Sequence, residues 1–154
     1  LPRLSVLYSR GLPGTSRKEE SRLFEKVDHI GIAVSDLEKM VRIFRDSLGL
    51  EYKGEEEVAG QKVRTAFFPV GESKIELLQT TDPDGPIGRF ITRKGEGVHH
   101  IALGVSDIEA KIKELKEQGL EMIDEKPRYG AGGAKIAFIH PRSTGGVLIE
   151  LCQH

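Results

Sequence analysis

The segment Val27-Asp28-His29-Ile30-Gly31-Ile32-Ala33-Val34-Ser35-Asp36-Leu37-Glu38 returns 71 residues further on, in unbroken register, as Val98-His99-His100-Ile101-Ala102-Leu103-Gly104-Val105-Ser106-Asp107-Ile108-Glu109. Each copy then closes on a similar pattern, Ile75-Glu76-Leu77-Leu78-Gln79 and Ile149-Glu150-Leu151-Cys152-Gln153. A chain built this way is expected to fold as two like modules about an approximate twofold axis. Duplication accounts for the shared apolar positions, because both halves need a core. It does not account for a histidine at the start and a glutamate at the end of both, residue types that a core rarely takes in unpaired. Two histidines and two carboxylates brought together about one axis, His29, Glu76, His100 and Glu150, make a metal-ligand set.

The alternation inside each copy supports this placement. From 27 to 34, His29, Gly31 and Ala33 share one face of a strand and Ile30, Ile32 and Val34 the other; the second copy sets His100, Ala102 and Gly104 against Ile101, Leu103 and Val105. Each histidine therefore lies beside small residues that leave space above the strand. Ser35 with Glu38 and Ser106 with Glu109 read as capping boxes that start helices. Leu37, Met40, Val41, Phe44 and Leu48 form one helical stripe before Gly49, and Ile108, Ile112 and Leu115 form another before Gly119. Strands are expected at about 50–57, 62–69 and 73–79, and at 120–126, 134–140 and 146–151.

These readings give an α+β fold of two tandem βαβββ modules, 24–80 and 95–154, joined by a linker at 81–94 into one domain. The modules pair as an open, barrel-like cup with helices outside. Glu76 and Glu150 alternate with core residues on their strands, so they point inward with the two histidines. Residues 1–23 stand apart as an N-terminal extension, of which 1–22 hold four Arg and four Ser. An extension ahead of the folded unit, in a cytoplasmic protein, is preferred to a transit-peptide remnant and a mitochondrial matrix location.

The chain of 154 residues is large enough to bury a core without disulfides, and it has a single cysteine, Cys152. A bound metal is therefore expected to be functional. With 23 basic and 24 acidic residues there is no basic excess for nucleic acid, and no apolar run approaches the ~20 residues of a membrane span.

One strand histidine alone is more often a hydrogen-bonded structural residue than a ligand. The joint pattern reverses that expectation. Two imidazoles and two carboxylates suit Co²⁺, Mn²⁺, Ni²⁺, Zn²⁺ or Fe²⁺, and are too rich in histidine for a Mg²⁺ or Ca²⁺ cage. His99 is expected on the opposite face in a supporting role, His140 outside the ligand set, and Cys152 in packing. Gly130-Ala131-Gly132-Gly133 lacks the ending of a phosphate loop and reads as a flexible loop that covers the cup mouth.

The two histidine strands, the Ser-Asp-Leu/Ile-Glu helix starts and the stretch His140-Pro141-Arg142-Ser143-Thr144-Gly145-Gly146-Val147-Leu148-Ile149-Glu150-Leu151 resemble the methylmalonyl-CoA epimerase family of the vicinal oxygen chelate superfamily, from about Phe24 to Gln153. The resemblance implies His29, Glu76, His100 and Glu150 as metal ligands, commonly of cobalt. It also implies an acyl-CoA substrate, epimerised at C2 through an enolate, and a homodimer. Some members carry Gln at the position of Glu76. Where certain members place a second catalytic glutamate, this chain has Thr65, a poor base. The role is therefore assigned to Glu76, opposite Glu150, with water or Glu55, Glu56 or Glu57 as the fallback. Lys135 and Arg142 are candidate contacts for the CoA moiety. A glyoxalase-like lyase or isomerase acting on a glutathione hemithioacetal shares the ligand set and stands as the alternative, followed by a non-catalytic binding protein of the same fold.

Overall fold

The computed structural model describes residues 23–154, so the extension before them lies outside the described residues. Strand β1 (Lys26–Ala33) leads to helix α1 (Leu37–Arg42), which continues as a π-helical turn at Ile43–Ser47. Strands β2 (Glu55–Val58), β3 (Val63–Val70) and β4 (Ser73–Thr80) complete the first module, and helix α2 (Pro86–Lys94) connects it to the second. That module comprises β5 (Gly97–Gly104), α3 (Ile108–Glu117), β6 (Arg128–Tyr129), β7 (Lys135–Ile139) and β8 (Ile149–Gln153).

The strands form one eight-stranded sheet in the order β2-β3-β4-β1-β5-β8-β7-β6. Each module contributes the same four-strand block, β1 parallel to β4 and β5 parallel to β8, and the blocks meet at the antiparallel β1–β5 seam. The sheet curls around a cavity lined from both modules. On its convex side, α1 places Leu37 and Val41 against Ala66, Phe68 and Leu77, while α3 places Ile108 and Ile112 against Ala137, Ile139 and Leu151. Leu77 and Leu151, equivalent in the repeat, are both fully buried. Burial of each contributes about 2 kcal/mol.

Helices α1 and α3 start one residue later than the capping boxes suggest. Asp36 and Asp107 are the caps, their carboxylates accepting from Lys39 N and Ala110 N at 3.1 Å. A charged acceptor at a helix N-terminus gains from the helix dipole, which a serine hydroxyl does not. The side chains that end the modules join in: Gln79 accepts from Leu37 N at 2.7 Å, and Gln153 from Ile108 N at 2.8 Å. The π-helical turn shifts the phase of the first stripe, leaving Leu48 exposed.

Three further expectations change. Gly54, at φ 95°, delays regular pairing of the second strand to Glu55. Pro127 cannot donate to a ladder, and 120–126 forms only a Met122–Ile139 bridge before β6 begins at Arg128. The expected linker carries α2, with Pro86 in its first turn and Gly95 at its end. This helix does not lie outside with the others. Ile87 packs against Ala33, Val63 and Leu78, residues on the concave side. Gly88 is required there, because a Cβ would stand 2.3 Å from the Pro83 carbonyl oxygen.

Candidate functional site

Sheet register brings the repeat's histidines and glutamates into two crossed rows. Gly31 pairs with Glu76 on one side and His100 on the other; Ala102 pairs with Glu150 and His29. The small residue in the middle of each row lets the larger side chains lean together over the strand. A Cβ on Gly31 would stand 2.2 Å from His100 Cε1, so glycine is what admits the ring.

His29, Glu76, His100 and Glu150 are all buried. His29 Nε2 lies 3.1 Å from His100 Nε2 and 3.0 Å from Glu150 Oε2, and His100 Nε2 lies 3.8 Å from Glu150 Oε1. Glu76 Oε2 approaches the other His29 nitrogen, Nδ1, at 3.1 Å. The four residues thus form two overlapping trios that share His29. The ligand atoms of His29, His100 and Glu150 lie within 4.8 Å of one another, as do those of Asp28, His29 and Glu76.

The trio of His29, His100 and Glu150 fits a divalent ion, while Glu76, beside the other nitrogen of His29, stands outside it. Adjacent ligands around an ion with bonds of ~2.1 Å stand about 3 Å apart. Glu150 Oε2, fully buried, has the close approach of His29 Nε2 but no hydrogen bond of good geometry. Buried carboxylates and facing imidazole nitrogens are costly together unless a cation or protons lie between them.

The residue before each histidine is displaced from the strand register. Pairing along the seam skips Asp28 in β1 and His99 in β5. These symmetry-related bulges correct the expectation for His99, which does not turn to the opposite face but lines the cavity. His99 Nδ1 lies 2.9 Å from His100 Nδ1, and its ring meets Phe90 of α2 edge-on at 5.0 Å. Asp28, 1% exposed, accepts from His29 Nδ1 at 2.6 Å and contacts His154 Nε2 at 2.9 Å and Cys152 Sγ at 3.5 Å.

The electrostatics follow from these contacts. Burial opposes charge on both members of the Asp28–His29 pair. Even so, the hydrogen bond from His29, with Lys74 and His154 nearby, holds the Asp28 carboxyl well below its ordinary range. His29 is pushed up to about 12 by Asp28, Cys152 and Glu150, against its burial. Burial pushes Glu76 up to about 7, with His29 and Lys74 pulling it back. Burial and the neighbouring His29 and His99 hold His100 well below its usual value. Burial, followed by Arg93 and Lys94, lowers His99 to about 4.

A cavity of about 310 Å³ surrounds this cluster, walled by Val63, Leu78, Ile87, Phe138 and Leu148. The glycine-rich loop reaches across its rim, Gly132 N donating to Glu56 of the first module at 2.8 Å. Thr65 and Gln61, to which the sequence reading gave no role, line the same space. Lys135 and Arg142 instead pair with Glu109 and Glu121 at the surface. His140 caps the turn before β8 by accepting from Arg142 N. Asp28 had a signal in sequence, an acid where alternation asks for no buried charge; the roles of Gln61 and Thr65 had none.

The sequence profile of the glyoxalase/bleomycin resistance protein/dioxygenase superfamily matches residues 28–138. The ethylmalonyl-CoA/methylmalonyl-CoA epimerase of Cereibacter sphaeroides is 35% identical over 83% of this chain and 97% of its own. The crystal structure of methylmalonyl-CoA epimerase from Mycobacterium tuberculosis superimposes with a TM-score of 0.82 at 36% identity, covering 85% of this chain and 89% of that one. A Streptomyces coelicolor methylmalonyl-CoA epimerase variant in complex with 2-nitronate-propionyl-CoA gives the same score and identity, over 85% of this chain and 95% of that one.

Proposed function

The chain belongs to the methylmalonyl-CoA epimerase family of the glyoxalase/bleomycin resistance protein/dioxygenase superfamily, and from that premise we propose that it interconverts 2R- and 2S-methylmalonyl-CoA with the help of a divalent metal ion. The observation that carries the reading is the buried meeting of His29, His100 and Glu150, with Glu76 on the other side of His29. His29, His100 and Glu150 would hold the ion, and the family resemblance assigns Glu76 as the fourth ligand. Cobalt comes first by family resemblance, and Mn²⁺, Ni²⁺, Zn²⁺ and Fe²⁺ suit the same donors. Bound there, it supplies Lewis-acid stabilisation of the negative charge that develops on the thioester oxygen when C2 loses its proton.

The chain's own groups supply the rest. Inversion at carbon needs a proton acceptor on one face and a donor on the other. Glu76 and Glu150 come from different modules, on opposite sides of the β1–β5 seam, and are assigned those two positions. Both carboxylates are buried, and a carboxylate held out of water is a stronger base than an exposed one. The apolar walls exclude water from the carbanionic centre. At about 310 Å³ the cavity suits the acyl group, leaving the CoA arm to run out past the rim.

The test is isotopic. Protein stripped by chelator and reloaded with Co²⁺ is incubated with 2R-methylmalonyl-CoA in D₂O, and C2 exchange and the 2S product are followed. The expected result is exchange and epimerisation that vanish with the chelator and return with the ion. Turnover of a glutathione hemithioacetal without either would overturn the reading.

A further inference from the structure

Among the described residues, the buried side-chain atoms without a hydrogen-bond partner are Gln61 Nε2, Thr65 Oγ1 and Glu150 Oε2, and all three residues line one cavity. Buried polar groups are ordinarily satisfied, and leaving them unsatisfied costs stability. Three such atoms gathered at one space mark groups held ready for a ligand. The metal and proton chemistry proposed above accounts for Glu150. It leaves a hydroxyl and an amide, both able to donate.

We propose that Thr65 and Gln61 bind the free carboxylate of the substrate's acyl group, donating from Oγ1 and Nε2, and so select thioesters whose acyl chain ends in a carboxylate. The inference rests on the acyl-CoA epimerase reading and names a recognition element within it. Thr65 is fully buried on β3, paired with Leu78 of β4 on one side and Glu56 of β2 on the other. Phe67 is the residue on β3 that pairs with Glu76, so Thr65, two residues away, stands on the same face of the strand, one step along from a proposed base. Gln61 ends the short 3₁₀ turn at Ala59–Gln61, and Lys62, left-handed at φ 55°, turns the chain into β3. A Cβ on Gly130 would come within 3.2 Å of Gln61 Nε2, so the glycine-rich loop leaves room for this amide at the rim.

The acceptor that suits two unpartnered donors is an oxygen-rich, donor-free group. A carboxylate has about four lone-pair positions, more than one cation contact uses. Thr65 is also too weak a base to replace a carboxylate in proton transfer, so its hydroxyl serves as a contact and not as the second base.

The test is Thr65→Val, which keeps the shape of the side chain and removes the hydroxyl. Loss of a hydrogen bond to a charged group should raise KM for methylmalonyl-CoA ~10–100-fold, with a smaller change in kcat. The melting temperature should hold or rise, because an unsatisfied buried group has gone. Inhibition by propionyl-CoA, which lacks the carboxylate, should change little, and Thr65→Ser should restore KM. Gln61→Leu should move KM in the same direction.

A lowered melting temperature with equal losses for methylmalonyl-CoA and propionyl-CoA would show a packing role and overturn the inference. Unchanged KM in both Thr65→Val and Gln61→Leu would overturn it as well. Epimerisation by the unmodified protein separates the two levels: if it turns over substrate and the variants match it, only this inference falls. If calorimetry finds no binding of methylmalonyl-CoA at all, the functional reading falls with it.

Discussion

Asp28 and His99 occupy the same position in the two modules, each bulged out of the β1–β5 ladder and each bonded to Nδ1 of the histidine that follows it. One partner is a carboxylate and the other a neutral imidazole. The symmetry of the backbone is therefore kept while the chemistry around the two histidines differs. The carboxylate holds the His29 proton on Nδ1 and leaves Nε2 toward His100 and Glu150.

If that orientation matters, Asp28→Asn should weaken Co²⁺ binding ~10–100-fold while leaving the circular dichroism spectrum intact. Competition with a chromophoric chelator measures the affinity. Equal affinity in both proteins would show that Asp28 only fills space.

Glycine at 31 should be as necessary as the ligands. In Gly31→Ala the new methyl overlaps the His100 ring, which must rotate or shift. The expected result is a Co²⁺ affinity at least about tenfold lower and an altered visible absorption spectrum of the bound ion. Strand content should stay the same, since alanine fits an extended backbone.

Stability of the chelator-treated protein should rise as pH climbs from about 5 to 6.5, where His99 and His100, both held below the ordinary 6.5, together outweigh Glu76, and should fall from about 7 to about 9. His29, raised to about 12, contributes stability that is complete below its unfolded value of 6.5 and is lost as pH climbs toward 12. Glu76, raised to about 7, contributes most below 4.5 and loses that contribution as pH passes through 7. Asp28 acts the other way, but only below its ordinary value of 3.8, outside this window. Thermal melts across the range test the sign. An ion must displace the His29 proton, so Co²⁺ affinity should rise about tenfold per pH unit near pH 8. Calorimetry in buffers of different ionisation enthalpy counts the protons released.

Glu76→Gln separates proton removal from inversion. The amide oxygen still offers a ligand, so metal binding should persist within about tenfold. Glu150 should still remove a proton and return it on its own face. Deuterium exchange from one epimer is then retained, while formation of the other falls about 100-fold or more. Full epimerising activity in the variant would place the second proton donor elsewhere, on a water or one of Glu55, Glu56 and Glu57.

The repeat makes the two crossed rows of histidine and glutamate legible in sequence, because register fixes which residues of paired strands stand side by side. That His29, Glu76, His100 and Glu150 come together follows from the register alone; their role as ligands is the proposal made above. The bulges were not legible: a single skipped residue leaves the order of side chains unchanged, and so His99 was assigned to the wrong face. Helix α2 was hidden by its Pro and Gly flanks, although Ile87, Phe90 and Ile91 follow helical spacing. Thr65 and Gln61 are ordinary residues in sequence. Only the closed cavity shows that their polar atoms lack partners.

Helix α2 has a consequence for how a ligand can lie in the cup. Two rows related by a twofold axis would accept a long molecule equally well in either of two opposed directions. α2 closes over the concave face on the side of Ala33, Val63 and Leu78, and it is the connection between the modules, so it occurs once. Among the described residues the helix has no twin, so the single crossover gives an otherwise palindromic basin two unlike ends.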